Sequence, residues 1–186
     1  MPTAPGSLDT ARLELRRWCA DDAVELRALL DANDAHLRPW IPFMEQEPRS
    51  LAATRAWLGE IRAAFDAGTA WRYAIRTRAD AARGGLLVGE TMLLARGGVD
   101  TVEAGYWLAA AHCGRGYATE ATVPLLPLAF DRLARRRVVL KCDVRNVASQ
   151  RVADRLGAVA AGEETLAERG ATVTLRIYEV VAPSGR

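Results

Sequence analysis

Cysteine is scarce and scattered: Cys19, Cys113 and Cys142 are an odd set with wide spacing. No CxxC or Cys/His spacing points to zinc, and nothing in the set suggests a disulfide framework. That usage fits a reducing, cytoplasmic setting. Histidine is scarcer still, and His36 and His112 alone are too few for a metal site. No apolar run approaches the length that spans a bilayer. The opening MPTAPGSLDT lacks a charged start followed by an apolar core, so no secretory signal is expected there. An excess of one charge is also missing: 25 basic against 23 acidic residues leave +2, too little to argue for nucleic acid or a membrane surface. Lysine is nearly absent, Lys141 being the only one. That bias follows coding composition as much as physics.

What remains is an ordinary globular composition, 50% apolar and 26% charged over 186 residues. One domain with a proper core is expected, over residues 11–182 after a flexible lead of residues 1–10. Ala11 to Trp18 alternates as a strand, and Asp21 or Asp22 can cap a helix reaching Ala32. His36 to Pro48 holds three prolines and reads as an aromatic loop. Ser50 can cap a second helix ending near Gly68. The period then changes to two: Trp71, Tyr73 and Ile75 alternate with Arg72, Ala74 and Arg76. A charged turn leads to a strand at Leu86–Leu94, and Gly97-Gly98 makes a hairpin to Thr101–Ala109. A long helix follows, to about Leu133. Then come a strand at Val138–Val144, a short helix at Asn146–Leu156 and two closing strands. The order is β-α-α-β-β-β-α-β-α-β-β, an α/β fold with a mixed sheet. Pro124 and Pro127 interrupt the long helix, where interior proline costs about 3 kcal/mol, so a kink or a late start is expected.

The most informative stretch is VEAGYWLAAAHCGRGYATEATVPLLPLAF, Val102 to Phe130. A strand pattern enters the glycine-punctuated loop His112-Cys113-Gly114-Arg115-Gly116-Tyr117-Ala118 and leaves as a helix. Glycines there let the backbone approach a ligand, and the first N–H groups of the helix have no partner within it. With the helix dipole and Arg115 they form an anion site suited to pyrophosphate. The loop resembles the Q/R-x-x-G-x-G/A cofactor loop of the GNAT superfamily of acyl-CoA-dependent N-acetyltransferases. Cys113 stands at its first position, Gly116 at the fourth and Ala118 at the sixth. Gly-Tyr-Trp-Leu (Gly105 to Leu108) and Gly-Tyr-Ala-Thr-Glu-Ala (Gly116 to Ala121) are similar to the Rim-type branch, which includes ribosomal-protein alanine acetyltransferases. The resemblance covers nearly the whole chain. It implies a mostly antiparallel central sheet flanked by helices, acetyl-CoA as co-substrate and no metal.

The resemblance also assigns residues. It implies cofactor contacts from Cys113, Gly114, Arg115, Gly116, Tyr117, Ala118 and Thr119, and from the backbone of Trp107 and Leu108 on a splayed strand edge. In VRNVASQRVADRLGA, Asn146 and Ser149 read bottom-up as an N-cap and its helical neighbour. In Rim-type enzymes the matching N-x-x-S element lies beside the pantetheine arm. That makes Asn146 a cofactor ligand and Ser149 the candidate to protonate or hydrogen-bond the thiolate. The tyrosine that many family members place four positions further on is Ala153 here. Glu103 is the candidate base, since members often set a carboxylate on that strand toward the acceptor; Asp143 and Glu90 are rivals, and a solvated glutamate is the plain alternative. Glu120 fits structural support of the helix start. Cys113 lacks a paired histidine and is not expected to act as a nucleophile. Trp40 and Phe43, in a loop that borders the acceptor pocket in the Rim-type branch, and Trp71 are expected to line that pocket.

Acyl transfer to an amine needs a neutral amine, aligned reactants and a proton for the thiolate. The expected activity is acetyl transfer from acetyl-CoA to a primary amine by direct attack in a ternary complex. The acceptor would be a protein N-terminus or a small-molecule amine. Similar proteins are commonly dimers, so a homodimer is implied without a located interface. Two alternatives stand: a non-catalytic acyl-CoA-binding or sensing module, and a transferase for a longer acyl group such as succinyl. A nucleotide-binding protein fits poorly, because the loop lacks Gly-Lys-Ser/Thr and Thr119 replaces the last glycine of a dinucleotide fingerprint.

Overall fold

The computed structural model describes residues 4–78, 85–168 and 171–183. Among the described residues eight strands form one sheet: β1 (Ser7–Asp9), β2 (Leu13–Arg17), β3 (Ala70–Thr77), β4 (Leu87–Leu94), β5 (Thr101–Leu108), β6 (Arg137–Asp143), β7 (Val159–Glu168) and β8 (Ala171–Val181), in the order β1-β2-β3-β4-β5-β6-β8-β7. Every neighbouring pair is antiparallel except β5 with β6. The helices are α1 (Ala23–Ala32), α2 (Asp34–Leu37), α3 (Leu51–Asp66), α4 (Tyr117–Thr122), α5 (Leu125–Pro127) and α6 (Val147–Arg155). The expected sheet-and-helix architecture is present, with one more strand than expected. The lead read as flexible contains β1, which pairs Leu8 with Leu15 of β2. The charged turn expected after β3 lies mostly outside the described residues.

Strand alternation sorts the apolar residues into two cores. On one face Leu13, Leu15, Trp71, Tyr73, Val102 and Leu108 pack with Ala121, Leu125, Val152 and Leu156 from α4, α5 and the α6 region. On the other face Trp18, Ala74, Leu87 and Trp107 meet Leu26 and Leu30 of α1 and Leu58 and Ile61 of α3. The Ser50 hydroxyl caps α3 by accepting from Ala53 N–H at 3.1 Å. Asp22 does not cap α1. Its carboxylate accepts from Cys19 N–H at 2.9 Å and pairs with Arg16, closing a short 3-10 turn before the helix. The segment after the glycine loop breaks at Pro124 into α4, α5 and a π-helical turn at Leu128–Arg132. This is the proline effect expected from the sequence.

Strands β5 and β6 diverge. They pair only at Thr101–Arg137, Val102–Val138 and Glu103–Val139, whereas β5 follows β4 through Leu108. Beyond Glu103 the sheet therefore opens into a gap that widens toward the glycine loop.

Candidate active site

The gap has one wall of open backbone. Ala109 N–H bonds Val88 C=O at 2.8 Å and Trp107 pairs with Glu90, so alternation turns the backbone groups of Trp107 toward β4. Those of Tyr106 and Leu108 face the β6 side, where β6 no longer pairs with them. Of the two residues expected to offer backbone here, Leu108 does so and Trp107 does not; Tyr106 takes its place. Gly89 lets β4 approach this closely, since a Cβ there would lie 2.1 Å from the Trp107 carbonyl oxygen.

The glycine loop closes the wide end of the gap. Gly114 (φ 74°) and Gly116 (φ 80°) occupy the left-handed region, which disfavours any side chain. The first helical rung is Glu120 N–H to Gly116 C=O at 3.0 Å, so the amides of Tyr117, Ala118 and Thr119 precede the ladder. The Thr119 hydroxyl beside them is buried and has no partner among the described residues. A phosphate oxygen would satisfy it, and the residues present fit a pyrophosphate group. Arg115 is exposed at the loop tip. Arg12 reaches the same place from the start of β2, with a guanidinium nitrogen 3.5 Å from where a Cβ on Gly116 would sit and its carbon 4.7 Å from the Tyr117 ring centre. Glu120 holds Arg12 there through bonds of 2.7 and 2.6 Å, and takes Thr10 Oγ1–H at 2.6 Å and Arg12 N–H at 2.8 Å. Burial would raise its pKa, but these donors outweigh that and hold it below the ordinary 4.5. The supporting role expected of Glu120 fits this geometry.

Cys113 is exposed, yet its sulfur lies 3.6 Å from His36 Nε2 of α2, a pairing of residues 77 apart in sequence. Partial burial of the thiol pushes its pKa up, opposite to what a nucleophile needs. His112 stacks on Tyr117 (centroids 6.2 Å apart), and burial and Arg115 lower its pKa.

Across the gap stands the first turn of α6. Asn146 Oδ1 accepts from Ser149 N–H at 3.0 Å, the capping bond read from sequence. The phenol of Tyr106 crosses from β5 to lie 2.8 Å from Ser149 Oγ and 3.0 Å from Ser149 C=O. Burial raises the Tyr106 pKa far above its ordinary 10. The Cys142 thiol of β6 is buried, and burial raises its pKa. Tyr106 is the site residue that sequence reasoning misses. Its even position, opposite Trp107 on the strand, is the only available signal that it faces α6.

The three carboxylates rank differently once placed. Glu90 is 1% exposed and its oxygens accept from Trp18 Nε1 (2.7 Å), Arg72 Nε (2.8 Å), Arg72 Nη2 (2.7 Å) and Trp107 Nε1 (3.0 Å). Asp143 is locked to Arg145 at 2.6 Å, and the Arg145 hydrogen bond holds its carboxyl below the ordinary value despite partial burial. Glu103 stands at the last paired position, the vertex of the gap, and its ionic neighbour among the described residues is Arg96 at 3.7 Å.

Phe43 packs on Trp57 (5.2 Å) and on Trp107 (6.3 Å). Trp40 is 38% exposed, with the Arg145 guanidinium 5.9 Å from its ring beside the α6 corner. Asn33 Oδ1 anchors the same region by accepting from Ala110 N–H at 2.9 Å. Trp71 is not brought to this group. It is 3% exposed in the opposite core, because strand alternation puts it on the α4 side of the sheet. Among the described residues no cluster of His, Cys, Asp and Glu could hold a metal ion, and no helix is long and apolar enough to cross a membrane.

Comparison with known proteins places the fold among acetyltransferases. A family model described as Acetyltransferase (GNAT) domain matches residues 12–159. The microcin C7 self-immunity acetyltransferase MccE, solved with acetyl-CoA and AMP, is 21% identical and superimposes with a TM-score of 0.85 over 97% of this chain and 99% of that one. RimL, a ribosomal L7/L12 alpha-N-protein acetyltransferase solved with coenzyme A in a disulfide to a cysteine, is 24% identical, with a TM-score of 0.82 over 92% and 95% of the two chains. Mycobacterium smegmatis RimJ with a CoA-disulfide is 22% identical, with a TM-score of 0.77 over 91% and 82%. No curated protein matches the sequence.

Proposed function

Because the chain belongs to the GNAT acetyltransferase family, we propose that it transfers an acetyl group from acetyl-CoA to a primary amine by direct attack in a ternary complex. The observation that carries this reading is the gap between β5 and β6, which runs from Glu103 to the glycine loop with open backbone on one side and Ser149 on the other. Solved relatives of this fold that hold acetyl-CoA or coenzyme A support the choice of cofactor.

In this reading the amides of residues 114–118 and the Thr119 hydroxyl bind pyrophosphate, with Arg115 adding charge. Leu108 and Tyr106 pair their backbone with the pantetheine amides. Asn146 gives its Oδ1 to the helix, which leaves its amide N–H groups for a pantetheine carbonyl. Glu103 accepts a proton from the amine, directly or through water, as the amine nitrogen bonds to the thioester carbon. The C–S bond breaks, and Ser149 gives a hydrogen bond to the departing thiolate. Alignment alone is worth about 7–11 kcal/mol of barrier in well-oriented systems, so neither group has to carry most of the rate. The acceptor is a protein N-terminus or a small-molecule amine, bordered by Trp40 and Phe43. RimL and MccE are named for two different roles, a ribosomal-protein acetyltransferase and a self-immunity acetyltransferase.

Calorimetric titration with acetyl-CoA, free CoA and NAD tests the reading, followed by thiol release with a panel of amines. Binding of both CoA species, no NAD signal and amine-dependent thiol release are expected. No binding to either CoA species would overturn the cofactor assignment and the catalytic roles with it. Binding without thiol release from any amine or acyl donor would make the chain an acyl-CoA-binding module.

A further inference from the structure

We propose that Tyr106 is a positioning residue that aims the Ser149 hydroxyl at the sulfur of the bound thioester. The inference rests on the acetyl-transfer reading above. Serine has one hydroxyl hydrogen and two lone pairs, and left alone its hydroxyl rotates toward the nearest acceptor. In the first turn of a helix the competing acceptors are backbone carbonyls, and a serine satisfied by its own helix gives nothing to a ligand. Here Ser149 is held on several sides. Its amide is fixed by Asn146 Oδ1 at 3.0 Å, and Tyr106 Oη lies 3.0 Å from its carbonyl and 2.8 Å from its Oγ. The phenol has a single proton, which it donates to the carbonyl or to Oγ. When it donates to Oγ, the Ser149 hydrogen is left to point into the gap.

The arrangement suits a departing thiolate. A buried phenol with a strongly raised pKa stays protonated through the neutral range, so it is a permanent donor. Tyr106 reaches α6 across the opening where β5 has left β6, so the pair spans the gap. Neither residue is asked to ionise. Ser149 keeps its proton and lends it as a hydrogen bond, Tyr106 supports the serine oxygen, and the sulfur carries the negative charge until solvent protonates it. The effect is a lowered pKa for the bound coenzyme A thiol.

That effect gives a readout independent of turnover. The thiolate absorbance of bound CoA, taken as the difference between CoA-loaded and CoA-free protein across a pH titration, reports its pKa directly. Tyr106→Phe keeps the ring and removes the hydroxyl. It is expected to raise the bound thiol pKa by about half a unit or more, with CoA affinity within about twofold and kcat lowered severalfold. Ser149→Ala should give the same displacement, and the double variant no further one, because two residues acting as one unit are non-additive. An unchanged thiol pKa in Tyr106→Phe, or full additivity with Ser149→Ala, overturns the inference while leaving the acetyltransferase reading intact. Failure of the wild-type protein to bind CoA overturns both.

Discussion

Glu90 and Glu103 are thirteen positions apart on adjacent strands, and their surroundings differ sharply. Four donors converge on the buried Glu90 carboxylate, so taking up a proton there would set a new donor against existing ones. Glu103 has no such shell among the described residues, and it stands where the gap begins. Replacing Glu103 by Gln is therefore expected to lower kcat at neutral pH by about a hundredfold, the lower end for a positioned base. Acetyl-CoA affinity measured by calorimetry should hold. An unaltered pH–rate profile would remove Glu103 as the base. Gly89 carries a different kind of demand, purely steric. A methyl group there would meet the Trp107 carbonyl at 2.1 Å and Leu108 Cα at 3.0 Å. Gly89→Ala should cost about 1–3 kcal/mol by forcing β4 and β5 apart, read as a lower urea midpoint. Because the push falls on Leu108, acetyl-CoA affinity should drop as well.

Between elements, the tie from the N-terminal strands to α4 is ionic. Glu120 of α4 accepts from Thr10 and Arg12, 110 and 108 residues away. Its folded pKa is depressed below the ordinary 4.5, so its contribution is complete above the unfolded value and is lost as pH falls through the folded one. Urea midpoints of the wild type and Glu120→Gln should thus differ most near neutrality and converge in acid, below about pH 4. A constant gap across that range would mean that the carboxylate charge is irrelevant to the tie. Such partners mark the limit of legibility in the sequence. Helix caps at Ser50 and Asn146, the glycine loop and the proline break are local, and short windows of sequence contain their cause. The tie to Glu120, the Tyr106–Ser149 contact over 43 residues and the face taken by Trp71 depend on which strands become neighbours. Alternation predicts that Trp71 and Arg72 point to opposite sides, but not which side carries α1 and α3. Trp107 shows the same limit at backbone level: its strand is legible, while the edge that its amide faces follows from the β4 register.

Across the whole molecule, β1 to β5 and the β6-β8-β7 group share only three paired positions, all at the narrow end of the gap. The wide end is joined through side chains such as Tyr106 and through α4 to α6. A cofactor bound in the gap as proposed would add hydrogen bonds to β5 on one side and to α6 on the other, and it would do so only in the folded chain. Ligand binding to the native state alone stabilises it by mass action. Acetyl-CoA at a hundred times its dissociation constant contributes about 2.7 kcal/mol, which for a chain of this size moves the unfolding temperature by roughly 5–11 °C. Thermal unfolding with saturating acetyl-CoA should show that rise, and NAD at equal concentration should show none. Gly116→Trp places an indole where the backbone sits in the left-handed region beside Arg12. The folded variant should unfold at the same temperature with and without acetyl-CoA. If instead it keeps the full acetyl-CoA rise, the glycine loop does not hold the phosphates, and the gap must bind its ligand through the strand edges and α6 alone.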